Sequence, residues 1–216
     1  MSTLKTNTIE AQTTNGDLTL QGNGTGDIVT QSDMIVNGAL TVTAGNLLTV
    51  SMPAAAMKTR LTSGAELGEV ETTTNFNMIN TWDFDTAADE HVQFIIPMPK
   101  SWNAGTLTAQ FGWSHDVTAT NFGVAFGIQA VDIENDDGHD VAFGTAVVTT
   151  DTGGTTNDLY ISAVSAAITV GGTPTKSGLV KFQVYRDVSD AFDDLGIDAR
   201  LEWVKVFYNS DSLSDV

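Results

Sequence analysis

Three adjacent side chains, Ser114, His115 and Asp116, are of the types that supply a nucleophile, a base and an orienting acid. That chemistry requires all three to converge on one point. Their setting argues against convergence. Leu107, Ala109, Phe111, Trp113, His115 and Val117 alternate with Thr108, Gln110, Gly112, Ser114 and Asp116, which is the period-two pattern of a half-buried strand. Successive strand side chains point to opposite faces, so His115 turns away from both Ser114 and Asp116. It falls on the apolar face, where a satisfied core histidine is the simpler reading. The chain holds no G-x-S-x-G nucleophile elbow.

Other candidates fail on spacing. The acidic stretch DIENDDGHD (132–140) offers Asp132, Glu134, Asp136, Asp137 and Asp140 as oxygen ligands for a hard cation such as calcium. Counted as an EF-hand loop from Asp132, Asp137 stands where glycine belongs and Phe143 where a bidentate acid belongs. An exposed turn at the rim of a β-sandwich accounts for it as well, because turns favour Asp. GNGTG (22–26) lacks the spacing, the lysine and the following helix of a phosphate-binding loop, and reads as a turn between short strands. Nothing brings His91 and His139 together for zinc. Trp82, Trp102, Trp113 and Trp203 could form a sugar-stacking platform, but each lies in or beside a β-patterned segment where burial is commoner. The sequence therefore assigns no catalytic, cofactor-binding or metal-binding residue, and no cofactor.

The elements that would carry these residues fall into two regions. All 17 aromatic residues lie between Phe76 and Tyr208. The first 75 residues hold none, so they lack the side chains that dominate core burial. Short apolar pulses recur there instead, as GDLTL (16–20), GDIVT (26–30), GALTV (38–42) and NLLTV (46–50), each opened by Gly or Asn turn chemistry. Strands so short and small-sided bury too little area to offset the ordering entropy of that segment alone. The reading is a strand-repeat arm over 1–50 that takes its order from neighbours. A connector over 51–75 follows, with two helical turns expected over 53–61 after Pro53. A β-sandwich head spans 76–216. Its strands are expected at 76–84, 91–97, 107–117, 122–128, 141–149, 158–164, 180–184 and 200–208. One or two helical turns are expected over 187–196, and 160–168 fits strand or helix equally. The fold class is all-β, an arm followed by a jelly-roll-like antiparallel β-sandwich.

The charge narrows the partners. A formal net charge of -18, from 27 acids and 9 scattered bases, repels phosphate backbones, so nucleic acid is not an expected partner. No apolar run approaches the roughly 20 residues that cross a bilayer. The opening MSTLKTNTIEAQ lacks the basic head and apolar run of a secretory signal, so synthesis in the cytoplasm is expected. Cysteine is absent, so the redox compartment cannot be read from it.

Two stretches carry a resemblance. LKTNTIEAQTTNGDLTLQGNGTGDI (4–28) resembles a module near the start of structural and fibre-like proteins of marine tailed phages. MPKSWNAGTLTAQFGW (98–113), with AFGTAVV (142–148), TNDLYIS (156–162), AAITVGGTP (166–174), VYRDVSD (184–190) and DARLEWVKVFY (198–208), resembles a carboxy-terminal domain of phage structural proteins. The resemblance implies a non-enzymatic virion component, trimeric, on the particle surface. The expected role is a capsid decoration or cement protein that binds the major capsid protein, since 216 residues leave little stem for a long fibre. The alternative is a short tail fibre or spike whose head binds a host surface glycan. A glycan-degrading enzyme, which needs a pair of carboxylates in a cleft, is the remote third reading.

Overall fold

The computed structural model describes residues 46–117 and 122–212. The chain divides into two units, Met1–Ala39 and Leu40–Val216, and the described residues all belong to the second. The arm's first three pulses and GNGTG lie outside the described residues.

Two antiparallel sheets enclose one core. The first contains β1 (Asn46–Pro53), β3 (Glu66–Glu71), β4 (Met78–Phe84), β6 (Trp102–Ser114), β9 (Tyr160–Ile161) and β11 (Ala199–Ser210). The second contains β2 (Lys58–Thr59), β5 (His91–Pro97), β7 (Phe122–Ile133), β8 (Val147–Gly153) and β10 (Leu179–Arg186). Strand order is β3-β4-β11-β6-β9 in the first sheet and β2-β5-β10-β7-β8 in the second. This is the jelly-roll-like β-sandwich that the alternating pattern predicts.

The inner faces come from the period-two runs. Leu107, Ala109, Phe111 and Trp113 of β6 are buried, as are Val180, Phe182 and Val184 of β10. Phe126 of β7 closes the gap between sheets. Its ring lies 5.4 Å from Phe111, 6.0 Å from Phe84 and 6.2 Å from Trp113, all in the opposing sheet. Burying each such side chain is worth about 1.5–3 kcal/mol, which makes this cluster the main cohesive term.

The run with apolar residues on both sides, 200–208, is the central strand β11. It pairs with β6 along one edge; on the other, β4 takes Ala199–Leu201 and β1 takes Trp203–Ser210. β1 carries the fourth pulse, NLLTV, and so belongs to the sandwich. The expected connector also contributes, through β2 and β3. Only a three-residue 3-10 turn, Ala54–Ala56, forms where two helical turns were expected. Burial explains this. Trp82 Nε1 donates to the Ala54 carbonyl at 2.8 Å, and that carbonyl also caps Met57, so the segment is held as a bend between the sheets.

Three other expectations are revised. The 158–164 strand shrinks to Tyr160–Ile161, because every third residue then turns to β6. Ser162, Ser165 and Ile168 donate from N–H to the carbonyls of Phe111, Ala109 and Leu107. The hydroxyls of Ser162 and Ser165 accept the N–H groups of Phe111 and Ala109 at 3.0 and 2.9 Å. A spacing of three matches neither ladder nor helix. The 141–149 strand starts late, at Val147, since 141–146 lies against 169–171 with Gly144 N–H on the Ala130 carbonyl.

Residues 187–196 form turns without a helix. Arg186, 1% exposed, is the reason. Its guanidinium takes both oxygens of Asp193 at 2.6–3.1 Å and the carbonyls of Phe84, Ile197 and Leu195. The loop must wrap so that its oxygens converge on a buried cation, and a helix would spend those carbonyls internally. Asp193 and Asp194 also accept the N–H groups of Ala125 and Gly123, tying the loop to β7. Removing one partner strands the other in the interior. Asp193→Ala should therefore lower unfolding free energy by about 3–5 kcal/mol in denaturant titration. A loss under about 1 kcal/mol would show that the loop is held otherwise.

Candidate functional site

The outward face of the second sheet gathers binding chemistry that the sequence does not signal. Because Val180, Phe182 and Val184 point inward, Lys181, Gln183 and Tyr185 fall on the other face, where Gln183 is buried beneath its neighbours and Lys181 and Tyr185 are half-buried. Register then fixes the rows, since directly opposed residues share a face. Lys58 opposes Gln93, Gln93 opposes Gln183, and Gln183 opposes Gln129, placing four polar side chains across four strands. On one side of this row Tyr185 stands between His91 and Gly127. On the other, Lys181 stands between Ile95 and Val131.

Close contacts hold the row. Gln93 Nε2 donates to Gln183 Oε1 at 2.9 Å, and Arg60 Nη1 reaches the same oxygen at 3.4 Å. Tyr185 lies over Gly127, where an added Cβ would meet the ring Cζ at 2.2 Å. Glycine is needed at that position by close approach. The His91 ring packs at 5.4 Å from Tyr185, and its Nδ1 is buried with no hydrogen-bond partner. Burial, then the nearby Arg60 guanidinium, lowers the His91 pKa, so the ring is neutral at pH 7 and able to accept a bond. Burial, then Asp187 and Asp89, raises the Tyr185 phenol, which stays a donor.

Charge sets this face apart. The chain has 27 acids, yet no outward position of β5, β7, β8 or β10 is Asp or Glu. Lys58, Arg60 and Lys181, three of nine basic residues, are gathered here. Elsewhere Arg186, Arg200 and Lys176 are held in ion pairs with Asp193, Asp116 and Asp211. Gln183 is 5% exposed and its Oε1 is taken by Gln93 and Arg60. The face therefore offers the half-buried amides of Gln93 and Gln129, one aromatic ring and three cations that have no acidic partner among the described residues. That set suits a hydroxyl-rich ligand, neutral or acidic. The three glutamines span about 10 Å at normal strand spacing.

The residues singled out from sequence are placed elsewhere. His115 is fully buried, stacked on Tyr160 at 5.6 Å and edge-on to Phe122 at 4.6 Å. Asp116 is bound to Arg200 at 3.1 Å, and Ser114 is buried, so no triad assembles. Trp82, Trp102 and Trp113 are core residues. Trp203 lies on the outward face of the first sheet over Gly112, with Lys205 Nζ 4.7 Å from its ring centre. The tryptophans therefore form no common platform. No group of three His, Cys, Asp or Glu side chains suited to a metal occurs among the described residues.

Acids crowd one end of the sandwich instead. Asp83, Asp116, Asp198 and Arg200 line a cavity of about 360 Å³, and Glu66, Asp83, Asp85, Glu90 and Asp198 line an adjoining one of about 200 Å³. Burial, then Asp85 and Asp83, raises the Asp198 pKa; burial also raises Glu90, whose carboxylate accepts Asp85 N–H at 2.8 Å. A folded carboxyl pKa above its unfolded value means the native state binds that proton more tightly. Its charged form is thus a cost, absent below the unfolded pKa, growing as pH rises between the two values and complete above the folded one. Asp198→Asn should raise the melting temperature at pH 7 and leave it unchanged near pH 3; a lower value at pH 7 would show that the charge is used.

No protein-family model matches the sequence, and no curated protein matches it. Solved structures resemble the fold loosely. The CBM22-2 xylan-binding domain from Paenibacillus barcinonensis matches at 11% identity and a TM-score of 0.43, over 74% of this chain and 98% of that one. A family 11 carbohydrate-binding module from Clostridium thermocellum matches at 11% identity and 0.37, over 74% and 88%. A Shewanella oneidensis MR-1 protein of unknown function matches at 12% identity and 0.34, over 82% and 92%. At these scores the likeness bears on neither ligand nor activity.

Proposed function

We propose that this chain is a non-enzymatic surface component of a tailed-phage particle, a short fibre or spike whose β-sandwich binds a host surface glycan. The observation that carries the binding part is the acid-free outward face of the second sheet, with Gln93, Gln129 and Gln183 in a row beside Tyr185. The half-buried amides of Gln93 and Gln129 offer donors and acceptors to sugar hydroxyls, Tyr185 offers a stacking surface, and Lys58, Arg60 and Lys181 favour carboxylated or sulfated sugars. The particle setting rests on the sequence resemblance, which also supplies the trimer. Three copies would turn a weak single site into useful avidity.

Capsid decoration is the second reading. It is favoured by a formal net charge of -18 on 216 residues, which suits a short outward-facing cement protein docking on basic coat patches. That contact would weaken with salt.

Affinity electrophoresis of the full chain through gels containing laminarin, alginate or a sulfated galactan tests the first reading. Retardation by at least one polymer is expected. Tyr185→Ala and Gln93→Ala should each weaken it roughly tenfold with little change in melting temperature, and Trp203→Ala should leave it intact. No retardation, together with stoichiometric binding to purified empty capsids, would reject glycan recognition in favour of decoration.

A further inference from the structure

The acidic stretch that fails the EF-hand count contains a different arrangement. Asp132 ends the inner face of β7, opposite Val180, and is 5% exposed. Its Oδ1 is buried with no hydrogen-bond partner. The Glu134 carboxylate lies beside it, with Asp132 Oδ1 and Glu134 Oε1 both crowding the position of a Cβ on Gly178. A tight turn holds Glu134 in place, with Asp137 N–H on its carbonyl at 3.1 Å and its own N–H on Asp137 Oδ2 at 3.0 Å. The Thr175 hydroxyl donates to Glu134 Oε1. Among the described residues, no Lys or Arg side chain pairs with Asp132 or Glu134.

Gly178 marks where these oxygens point. A Cβ built there would lie 2.3 Å from Asp132 Oδ1, 2.9 Å from Glu134 Oε1 and 3.1 Å from the Thr175 carbonyl oxygen. Two carboxylate oxygens and one carbonyl thus crowd against the chain where no Cβ could stand, and Asp132, Glu134 and Thr175 together line a cavity of about 650 Å³ beside it. Calcium takes carboxylate, carbonyl and hydroxyl oxygens in irregular shells at about 2.3–2.6 Å and completes them with water. Magnesium demands a tighter octahedron and gives up water reluctantly.

We propose that Asp132, Glu134 and Thr175, which line one cavity beside Gly178, form a binding site for a calcium-like divalent cation. The site uses two carboxylates with main-chain and hydroxyl oxygens, so it lacks the three acidic side chains of a conventional cluster. A cation there neutralises two like charges, one on the buried Asp132 and one on the half-buried Glu134. Without it, burial, then the hydrogen bond to and charge of Glu134 and the charge of Asp137, push the Asp132 pKa up to about 6. The ion would fasten the end of β7 to the 172–178 loop. It would act independently of the glycan-binding face.

The test uses the full chain, stripped with chelator, at pH 7.5. Calcium titration by calorimetry should show saturable binding at one ion per chain, at roughly millimolar or tighter affinity. Thermal melting should rise with calcium and much less with magnesium or sodium at equal ionic strength. Asp132→Asn and Glu134→Gln should each weaken calcium binding at least about tenfold, yet melt higher than the wild-type chain without metal. Asp136→Asn, an exposed position on the same turn, should change neither. Absence of saturable binding, an equal magnesium response, or undiminished binding in Asp132→Asn would overturn the assignment.

Discussion

Alternation along paired strands is the constraint on which the rest depends. Once Phe111, Trp113, Phe126 and Phe182 are committed to the interior, every neighbouring residue is committed to the outside, and register decides which of those stand side by side. The glutamine row is a by-product of this. Gln93, Gln129 and Gln183 come from three distant segments, and they meet because Val92, Ile128 and Val184 must meet on the other face. Shifting one strand by one residue would bury the row and break the core together.

Charge distribution follows from the same geometry. A chain with a formal net charge of -18 cannot place acids evenly without opposing like charges across strands. Here they concentrate at the rims, in 132–140 and in the cavity around Asp83 and Asp198, while the outward face of the second sheet is free of them. Where acids enter the interior, each is answered differently. Asp193 meets Arg186 in a buried bidentate pair. Asp151 accepts the indole N–H of Trp113 at 2.8 Å. Asp132 keeps an unpartnered oxygen, which is why it stands apart.

The fold was legible where alternation was strong. β5 coincides with the expected 91–97, and the inward residues of β6, β7 and β10 are those the pattern selected. It was less legible where pairing relied on other devices. The 46–53 strand has no aromatic anchor, and its inward residues Leu48, Val50 and Met52 are only partly covered, so composition set it apart from the sheet it completes. The 160–168 segment uses serine hydroxyls as ladder acceptors, giving a spacing of three that no periodic template contains. The turns at 187–196 answer to one distant guanidinium. The candidate face left no local trace, because its signal lies in cross-strand register and in the arrival of Arg60 from beyond β2. A count of which outward strand positions lack acids, made once register was known, would have found it.

Assignment of side-chain amide resonances in the full chain, followed through a titration with a bound oligosaccharide, tests this account most directly. The account predicts that the amide groups of Gln93, Gln129 and Gln183 shift together and saturably, while the Trp203 indole on the opposite sheet stays fixed. Shifts confined to Trp203 and Phe207 would place recognition on the first sheet and contradict it.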